Sequence, residues 1–293
     1  MDARPRAGVA VNAAGEFIIA HEAWLRLGGF AAVLAVLVIA ERLRPLRGDT
    51  RPAHRQLANL GLVLIDTAVL RLAFPLLAVA LAIQVHARGG GLLGTLDWPG
   101  WAEIVLAMLA FDLAIYWQHR LLHLLPWLWP LHRMHHSDLA LDVSTGVRFH
   151  PLEIALSMAI KLGLVALLGP HPLAVVLFEL LLSAGSLFSH ADVALPSRVE
   201  RIVRRLIVTP SMHRIHHSLR GEETDSNYGF NLSLWDHLFG SYRAAPALPE
   251  HSMPVGVPAF RDPAALGLWA LLLQPFRRVA NGRDHHPEKR IDA

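Results

Sequence analysis

The stretch HRLLHLLPWLWPLHRMHH, residues 119–136, sets five histidines among apolar residues. Neutral imidazole is the commonest metal-ligand side chain. Residues three and four apart lie on one face of a helix, so the HxxxH pair at the start directs two imidazoles the same way and the HxxHH box at the end directs three. The stretch therefore predicts a helical metal site.

A second box, HRIHH at 213–217, has the same HxxHH form and follows Pro210, a residue that favours a helix start. Either box alone is also typical of a basic surface helix with incidental histidines, but two identical boxes argue against that interpretation. The histidine of FSHAD is a further candidate, although a lone histidine at a helix end is more often a core residue. Together these imidazoles are too many for one metal ion and suit two. The candidate ligands are His119, His123, His132, His135, His136, His190, His213, His216 and His217.

The composition indicates a membrane protein. Of the 293 residues, 53% are hydrophobic and 17% are charged, whereas soluble domains average about 25% charged residues. A spanning helix needs roughly 20 apolar residues. Candidate spans cover residues 23–40, 57–84, 101–118, 152–168 and 173–188, and the shorter run 264–276 is expected to lie in the membrane interface. The second span contains Asp66, Arg71 and Pro75 and is expected to be kinked or tilted. We therefore predict an all-α fold, a polytopic membrane helical bundle.

The distribution of arginine orients these spans. The positive-inside rule places the Arg-rich loop 41–55 in the cytoplasm. Because successive spans alternate in direction, every histidine cluster and the C-terminus fall on the same side. We expect a multi-pass protein whose cytoplasmic helical cap carries the histidine clusters.

The chain contains no cysteine. This excludes disulfides, cysteine zinc sites and an iron–sulfur cluster held by the chain itself. Any electrons must then come from a separate protein. The net charge of +3 gives no reason to expect a nucleic-acid partner, and arginines beside apolar runs suit anionic lipid headgroups.

Two acidic residues share helical stripes with candidate ligands. Asp112 lies seven residues before His119, and Glu179 lies eleven before His190. An acidic residue in a membrane helix is expensive and usually functional. Each carboxylate is expected either to orient a ligating imidazole or to make a helix-packing hydrogen bond.

Two further stretches offer supporting residues. In NYGFNLSLWDHLFG, residues 227–240, Asn227 and Asp236 are candidates for a lid or for support of the ligands. His150 directly precedes Pro151 and a new span, so it either caps that helix or supplies a further ligand.

Taken together, these motifs resemble the fatty acid hydroxylase/sterol desaturase superfamily of integral-membrane di-iron oxygenases. The resemblance covers roughly residues 105–243, about half of the chain. It rests on HRLLH, HRMHHS, VRFHPLE, FSHAD, TPSMHRIHHS and SNYGFNLSLWDHLFGSY, in that order.

The resemblance implies two iron ions held by the nine histidines, with His150 a weaker tenth, and O2 as co-substrate. It implies hydroxylation or desaturation of a lipid C–H bond, in a sterol, a fatty acyl chain or a related molecule. Some members have another histidine where Ser186 stands here, so a water molecule or His150 is expected to complete one metal's ligands.

The resemblance also predicts the organisation and the partners. Residues 1–100 would form an N-terminal membrane region with two spans. Residues 101–245 would form a fatty acid hydroxylase-like catalytic domain, and residues 246–293 a C-terminal interfacial segment and tail. We expect a lipid substrate, surrounding membrane lipids and a separate electron donor, namely a ferredoxin, a cytochrome or a flavoprotein reductase.

Two other functions compete with an oxygenase. A zinc-dependent membrane hydrolase would need a general-base carboxylate beside an open metal site. A non-enzymatic metal-binding or transport protein would need ionisable residues along a path through the bilayer. Histidines gathered on one face argue against such a conduit.

Overall fold

The computed structural model describes residues 13–48, 52–95 and 99–279; most of the predicted tail, from residue 280 onward, lies outside these ranges. The described residues form helices, turns and three isolated β-bridges, with no extended strand among them. This confirms the predicted all-α fold. The α-helices are α1 Ala13–Ala20, α2 Glu22–Leu43, α3 Ala53–Ala73, α4 Ala78–Ala87, α5 Gly100–Leu124, α6 Trp129–His136, α7 Pro151–Leu168, α8 Pro172–His190, α9 Ser197–Val203, α10 Pro210–His216, α11 Gly221–Thr224, α12 Leu234–Leu238 and α13 Leu268–Leu273.

Five segments of the described chain are long and apolar enough to cross a membrane. Four are the single helices α2, α5, α7 and α8, and the fifth runs through α3 and α4. The predicted second span is broken rather than merely kinked. Pro75 lies in the gap between α3 and α4, where its missing N–H and its ring prevent a continuous helix.

Contacts between helix ends show that the spans alternate in direction. Near the end of α2, Glu41 accepts hydrogen bonds at 2.7 Å from the backbone N–H groups of Val143 and Asp192. Arg55, near the start of α3, pairs with Asp138 at 2.5 Å and with Asp142 at 2.7 Å. These partners follow α6 and α8, so α2 ends and α3 begins where the histidines lie. We call this the histidine end of the bundle.

The opposite end is closed by the hairpin between α7 and α8. Gly169 ends α7 with φ of +60°, in the left-handed region where a side chain is strained. A Cβ on Gly169 would also overlap the carbonyl oxygen of Gly90. This glycine therefore allows the turn to pack against the segment after α4.

The hydrophobic core joins α4, α5, α7 and α8. Phe111 of α5 stacks on Phe178 of α8 with ring centroids 5.2 Å apart, and Met158 and Val165 of α7 belong to the same buried cluster. Around this core, large apolar side chains face outward, and Leu72 is 87% exposed. Outward apolar surface of this extent suits a lipid surrounding.

The C-terminal segment is shorter than a span, as predicted, but it is packed against the histidine end. Leu268 packs against the buried cluster that includes Ala58 and Leu62 of α3, and Leu271 is buried in this cluster with Met134 of α6. Its other face remains exposed, with Trp269 at 76%. The segment therefore buttresses α3 and α6 on one side and presents apolar surface on the other.

Candidate metal centre

The ends of α5 and α8, together with α6 and α10, bring all nine candidate histidines into one buried place. Their ring nitrogens form two groups, and within each group the possible ligand atoms lie within 4.8 Å of one another. The five-histidine group is His119, His123, His132, His136 and His216, and the four-histidine group is His135, His190, His213 and His217.

In the five-histidine group, neighbouring oxygens fix the orientation of three rings. The Nδ1–H of His119 donates to the Tyr228 carbonyl and that of His216 to the Ser226 carbonyl, both at 2.8 Å. The Nδ1–H of His132 donates to Oε1 of Glu153, also at 2.8 Å. A carbonyl or carboxylate oxygen can only accept, so in each ring the proton is on Nδ1 and Nε2 offers a lone pair.

The four-histidine group shows where such lone pairs point. The Nδ1–H groups of His135 and His190 donate to the carbonyls of Arg148 at 3.0 Å and Ser186 at 2.7 Å. Their Nε2 atoms nevertheless lie only 3.0 Å apart. Two lone pairs at this distance repel each other unless a cation lies between them.

The nitrogen separations fit a shared metal ion. Nε2 of His190 is also 3.0 Å from Nε2 of His213, which is 3.3 Å from Nε2 of His217. Imidazole nitrogens about 2.1 Å from a common ion are separated by about 3.0–3.4 Å. In the five-histidine group, the Nε2 atoms of His119, His132, His136 and His216 are buried without a hydrogen-bond partner, as uncoordinated ligand atoms would be.

Burial keeps these imidazoles neutral. It lowers the pKa of His216 to about 3 and the pKa values of His135, His136, His213 and His217 well below the ordinary value. The charged form loses its hydration, and neighbouring imidazoles repel it further. At neutral pH the lone pairs are therefore free for a metal without loss of a proton.

A single loop supports two of the candidate ligands. Asn227 has φ of +52° and lies between Ser226 and Tyr228, whose carbonyls accept from His216 and His119. Its side-chain amide donates to the carbonyls of Met212 and Arg243, each at 3.1 Å. Asn227 thus supports the ligands through the backbone, as a residue that shapes the loop.

Asp236 holds the same loop. Its carboxylate accepts from the N–H groups of Tyr228 and Gly229 at 2.8 Å and from Ser241 Oγ at 2.7 Å. It fixes the peptide that positions His119 and touches no imidazole of the two groups.

Asp112 and Glu179 form hydrogen bonds and ion pairs with groups other than the candidate imidazoles. Asp112 accepts from Asn231 Nδ2 and Trp235 Nε1, both at 2.8 Å, and so anchors the loop to α5. Glu179 pairs with Lys161 at 2.7 Å and with Arg26 at 2.9 Å in the middle of the bundle. For both residues the structure favours the packing interpretation, because their hydrogen bonds are made to other groups.

The carboxylate that does orient an imidazole is Glu153, which sequence reasoning missed. It lies in the first turn of α7, is 4% exposed and accepts from His132. The sequence feature that could have indicated Glu153 is its place in VRFHPLE, three residues after His150. It lies there in the first turn of a helix that begins at the histidine end.

His150 lies outside both groups. Its Nδ1 accepts from the N–H of Leu152 at 3.2 Å, and its Nε2–H donates to the carbonyl of Leu272 at 3.1 Å. The ring therefore has no lone pair left for a metal, and the structure favours the capping interpretation.

Ser186 marks the departure from the family pattern, and it falls beside the smaller group. Its hydroxyl donates to the Gly146 carbonyl at 2.6 Å, and its own carbonyl orients His190. Where some family members have a histidine, this chain has a serine that links α8 to the loop before α7.

A network of buried charged residues lies next to the four-histidine group. Arg55 pairs with Asp138 and Asp142, and the guanidinium groups of Arg55 and Arg148 lower the pKa of Asp138 to about 2. Burial lowers the pKa of Arg148 to about 10, yet its side chain still holds the Met134 carbonyl and Ser137. Because the Arg148 carbonyl accepts from His135, this network orients one imidazole of the four-histidine group.

A cavity of about 520 Å³ leads from the bundle to the histidines. Its lining includes His119 and His132 at one end and apolar residues of α2, α3, α7 and α8 along its length, among them Phe30, Leu70 and Ile154. Ligand pockets are typically of this size and character. The arrangement joins a buried cluster of metal-ligand side chains to an apolar chamber.

Comparison with known proteins yields a family and several relatives. The sequence model of the fatty acid hydroxylase family matches residues 104–241. The ornithine lipid hydroxylase of Rhizobium tropici is 30% identical over 268 residues, covering 88% of this chain and 77% of the relative. Alkylglycerol monooxygenases of Danio rerio and Homo sapiens are each 32% identical over 50% and 47% of this chain, but over only 30% of their own length. No solved structure matches.

Proposed function

Because the chain belongs to the fatty acid hydroxylase superfamily, we propose that it is a membrane lipid hydroxylase that uses two iron ions and O2. The relatives support an oxidoreductase, since they are named as hydroxylases and monooxygenases. Those names favour hydroxylation over desaturation. The relative matched over most of its length acts on an ornithine lipid, which favours a polar membrane lipid over a sterol.

The observation that carries the proposal is the set of lone pairs aimed at one another in two groups. Nε2 of His190 lies close to Nε2 of both His135 and His213. Two groups of neutral imidazoles are a donor set that suits a pair of metal ions. Imidazole also suits zinc, copper and nickel, so iron is inferred from the family. We propose the nine histidines as the ligands.

Two iron ions bound here would supply the activation of O2 needed to hydroxylate an unactivated C–H bond. The protein's own residues prepare the place. Glu153 and the carbonyls of Tyr228, Ser226, Arg148 and Ser186 fix five imidazole rings, which limits reorganisation of the ligands. The apolar cavity excludes water and receives the lipid from the bilayer side.

We further propose a separate electron donor and a cytoplasmic site. A chain without cysteine holds no iron–sulfur cluster of its own, so a ferredoxin, a cytochrome or a flavoprotein reductase must deliver electrons. Arg55, the last residue of the Arg-rich segment, lies at the histidine end, where it contacts Asp138 and Asp142. The positive-inside rule then favours the cytoplasm for this end.

Labelled oxygen tests the reaction. Cells with and without the protein would be grown under 18O2, and their lipid extracts compared by mass spectrometry. We expect one lipid class to gain a single 18O atom only when the protein is present. His216→Ala should abolish the gain, whereas His237→Ala, at an exposed histidine outside both groups, should leave it unchanged.

Other outcomes would favour the competing functions. A protein-dependent loss of two hydrogens without label would indicate desaturation. Lipid cleavage that needs zinc and proceeds without O2 would indicate a hydrolase. No change in any lipid, together with metal uptake by vesicles, would indicate transport.

A further inference from the structure

Among the described residues, three side-chain oxygen atoms of the lining of the 520 Å³ cavity have no hydrogen-bond partner. They are Oδ1 of Asp66 on α3, Oε2 of Glu153 on α7 and Oε1 of Gln118 on α5. All three residues line the cavity together with His119 and His132. A buried acceptor without a hydrogen-bond donor costs free energy. A ligand of this cavity is therefore expected to carry hydrogen-bond donors.

The carboxylates of the lining indicate the charge of this ligand. Asp66 is 7% exposed and Glu153 is 4% exposed, and within the described ranges Asp66 forms no ion pair. In the part of the chain that the structure describes, Glu153 pairs only with the imidazole of His132, through its other oxygen. By contrast, Glu179 is neutralised by both Lys161 and Arg26. The lining also contains two arginines. Arg26 pairs with Glu22 and Glu179, and among the described residues Arg71 forms no ion pair with Asp66 or Glu153. A cationic ligand would supply the partner that these two carboxylates lack.

We propose that the cavity binds the protonated amine of a lipid headgroup at Asp66 and Glu153. A primary ammonium carries three N–H donors, which matches the three acceptor oxygens in number. The apolar residues farther along the cavity, including Leu70, Leu77 and Leu182, would contact the acyl portion. The inference rests on the proposed function, because it names the class of lipid delivered to the same site.

Binding can be measured without turnover. The iron-loaded protein would be kept anaerobic and titrated by native mass spectrometry. The probes are dioleoylphosphatidylethanolamine, its N-acetyl derivative, which lacks the ammonium, and monoolein, which offers only hydroxyl donors. We expect the amine lipid to bind at least tenfold more tightly than either of the others.

Asp66→Asn should abolish this preference, and Glu222→Gln, at an exposed carboxylate on α11, should preserve it. Asp66→Asn should also raise the melting temperature of the lipid-free protein, since burying a carboxyl group that has no ion-pair partner among the described residues opposes folding. A residue with a purely structural role would lower it. This second readout keeps the test decisive if lipid binding is weak.

Equal binding of the amine lipid and its N-acetyl derivative would overturn the proposal, as would tighter binding of monoolein or an unchanged preference in Asp66→Asn. If the preference fails while 18O incorporation persists, the inference is wrong and the hydroxylase function stands. If the preference holds while no lipid gains oxygen, the binding site stands and the proposed reaction is wrong.

Discussion

At the scale of single residues, the site is defined by which nitrogen of each imidazole carries the proton. Backbone carbonyls hold Nδ1–H of His119, His135, His190 and His216, and a carboxylate holds that of His132. In each of these five rings the free lone pair then belongs to Nε2. The protein thus sets ligand orientation before any metal binds.

Glu153→Gln tests the carboxylate partner of His132. The amide keeps the shape of the side chain but removes the charge that favours an Nδ1–H donor. Loss of such a partner typically weakens metal binding 10–100-fold. We expect a fall of that size in iron affinity, measured by competition with a chelator. Unchanged affinity, equal to that of Glu222→Gln, would show that Glu153 does not support a ligand.

The lowered pKa values predict how the metal-free protein responds to acid. The pKa of His216 is about 3 in the folded protein, against about 6.5 in an unfolded chain. Below pH 6.5 the unfolded state binds the proton and the folded state does not, so stability falls as the pH drops. The slope is about 1.4 kcal/mol per pH unit for each such histidine. Thermal melting in detergent should give a lower melting temperature at pH 5.5 than at pH 7.5; an equal or higher value would contradict the neutral buried cluster.

At the scale of elements, local sequence determined some features and tertiary contacts determined others. The HxxxH and HxxHH spacings predicted shared helix faces, and α5, α6 and α10 carry them. Pro75 signalled a disturbance but not its extent, because only packing of α4 against α7 and α8 stabilises the break. Glu153 was missed because its partner His132 is 21 residues away, and no local pattern links them.

The loop after α11 contacts His119 of α5 and His216 of α10 through its backbone carbonyls. The carboxylate of Asp236 holds this loop in place. Asp236→Ala would leave the N–H groups of Tyr228 and Gly229 without their acceptor, at about 1–3 kcal/mol for each buried group. We expect a lower melting temperature and reduced iron content, because the Tyr228 carbonyl would no longer hold His119. Full iron content at a wild-type melting temperature would show that the loop does not position the ligand.

The turn between α7 and α8 provides a test at the opposite end. Gly169→Ala places a Cβ against the Gly90 carbonyl with φ of +60°, so it should lower the melting temperature. Gly163→Ala is the matched control on the same helix, where a Cβ meets nothing within 4 Å; it should be neutral or slightly stabilising. Equal effects of the two substitutions would argue against the close approach.

At the scale of the whole molecule, the candidate ligands gather at one end of the five apolar segments: α5 and α8 carry three of them, and α6 and α10, with His217 directly after α10, supply the other six. The alternation of spans was predictable from hydrophobic run lengths and arginine positions. The division of nine histidines into groups of five and four was not, because it depends on how α6 and α10 cross the ends of α5 and α8. Nor did composition reveal that α3 supplies an unpaired carboxylate to the cavity.

The absence of cysteine makes the orientation testable with single introduced thiols. His237→Cys places one at the exposed histidine end, and Arg88→Cys places one after α4 at the other end. A membrane-impermeant thiol reagent added to intact cells should label Arg88→Cys only. Labelling of His237→Cys alone would reverse the proposed topology, with permeabilised cells as the control for reactivity.

The most direct test of the central claim is the metal content of the protein. Anaerobic loading with ferrous iron, followed by elemental analysis and Mössbauer spectroscopy, should give about two iron ions per chain in two nitrogen-rich environments. His135→Ala and His216→Ala, one from each group, should each lose iron from one environment first. A single ion per chain, or no loss of iron in either variant, would contradict a two-metal centre built from these histidines.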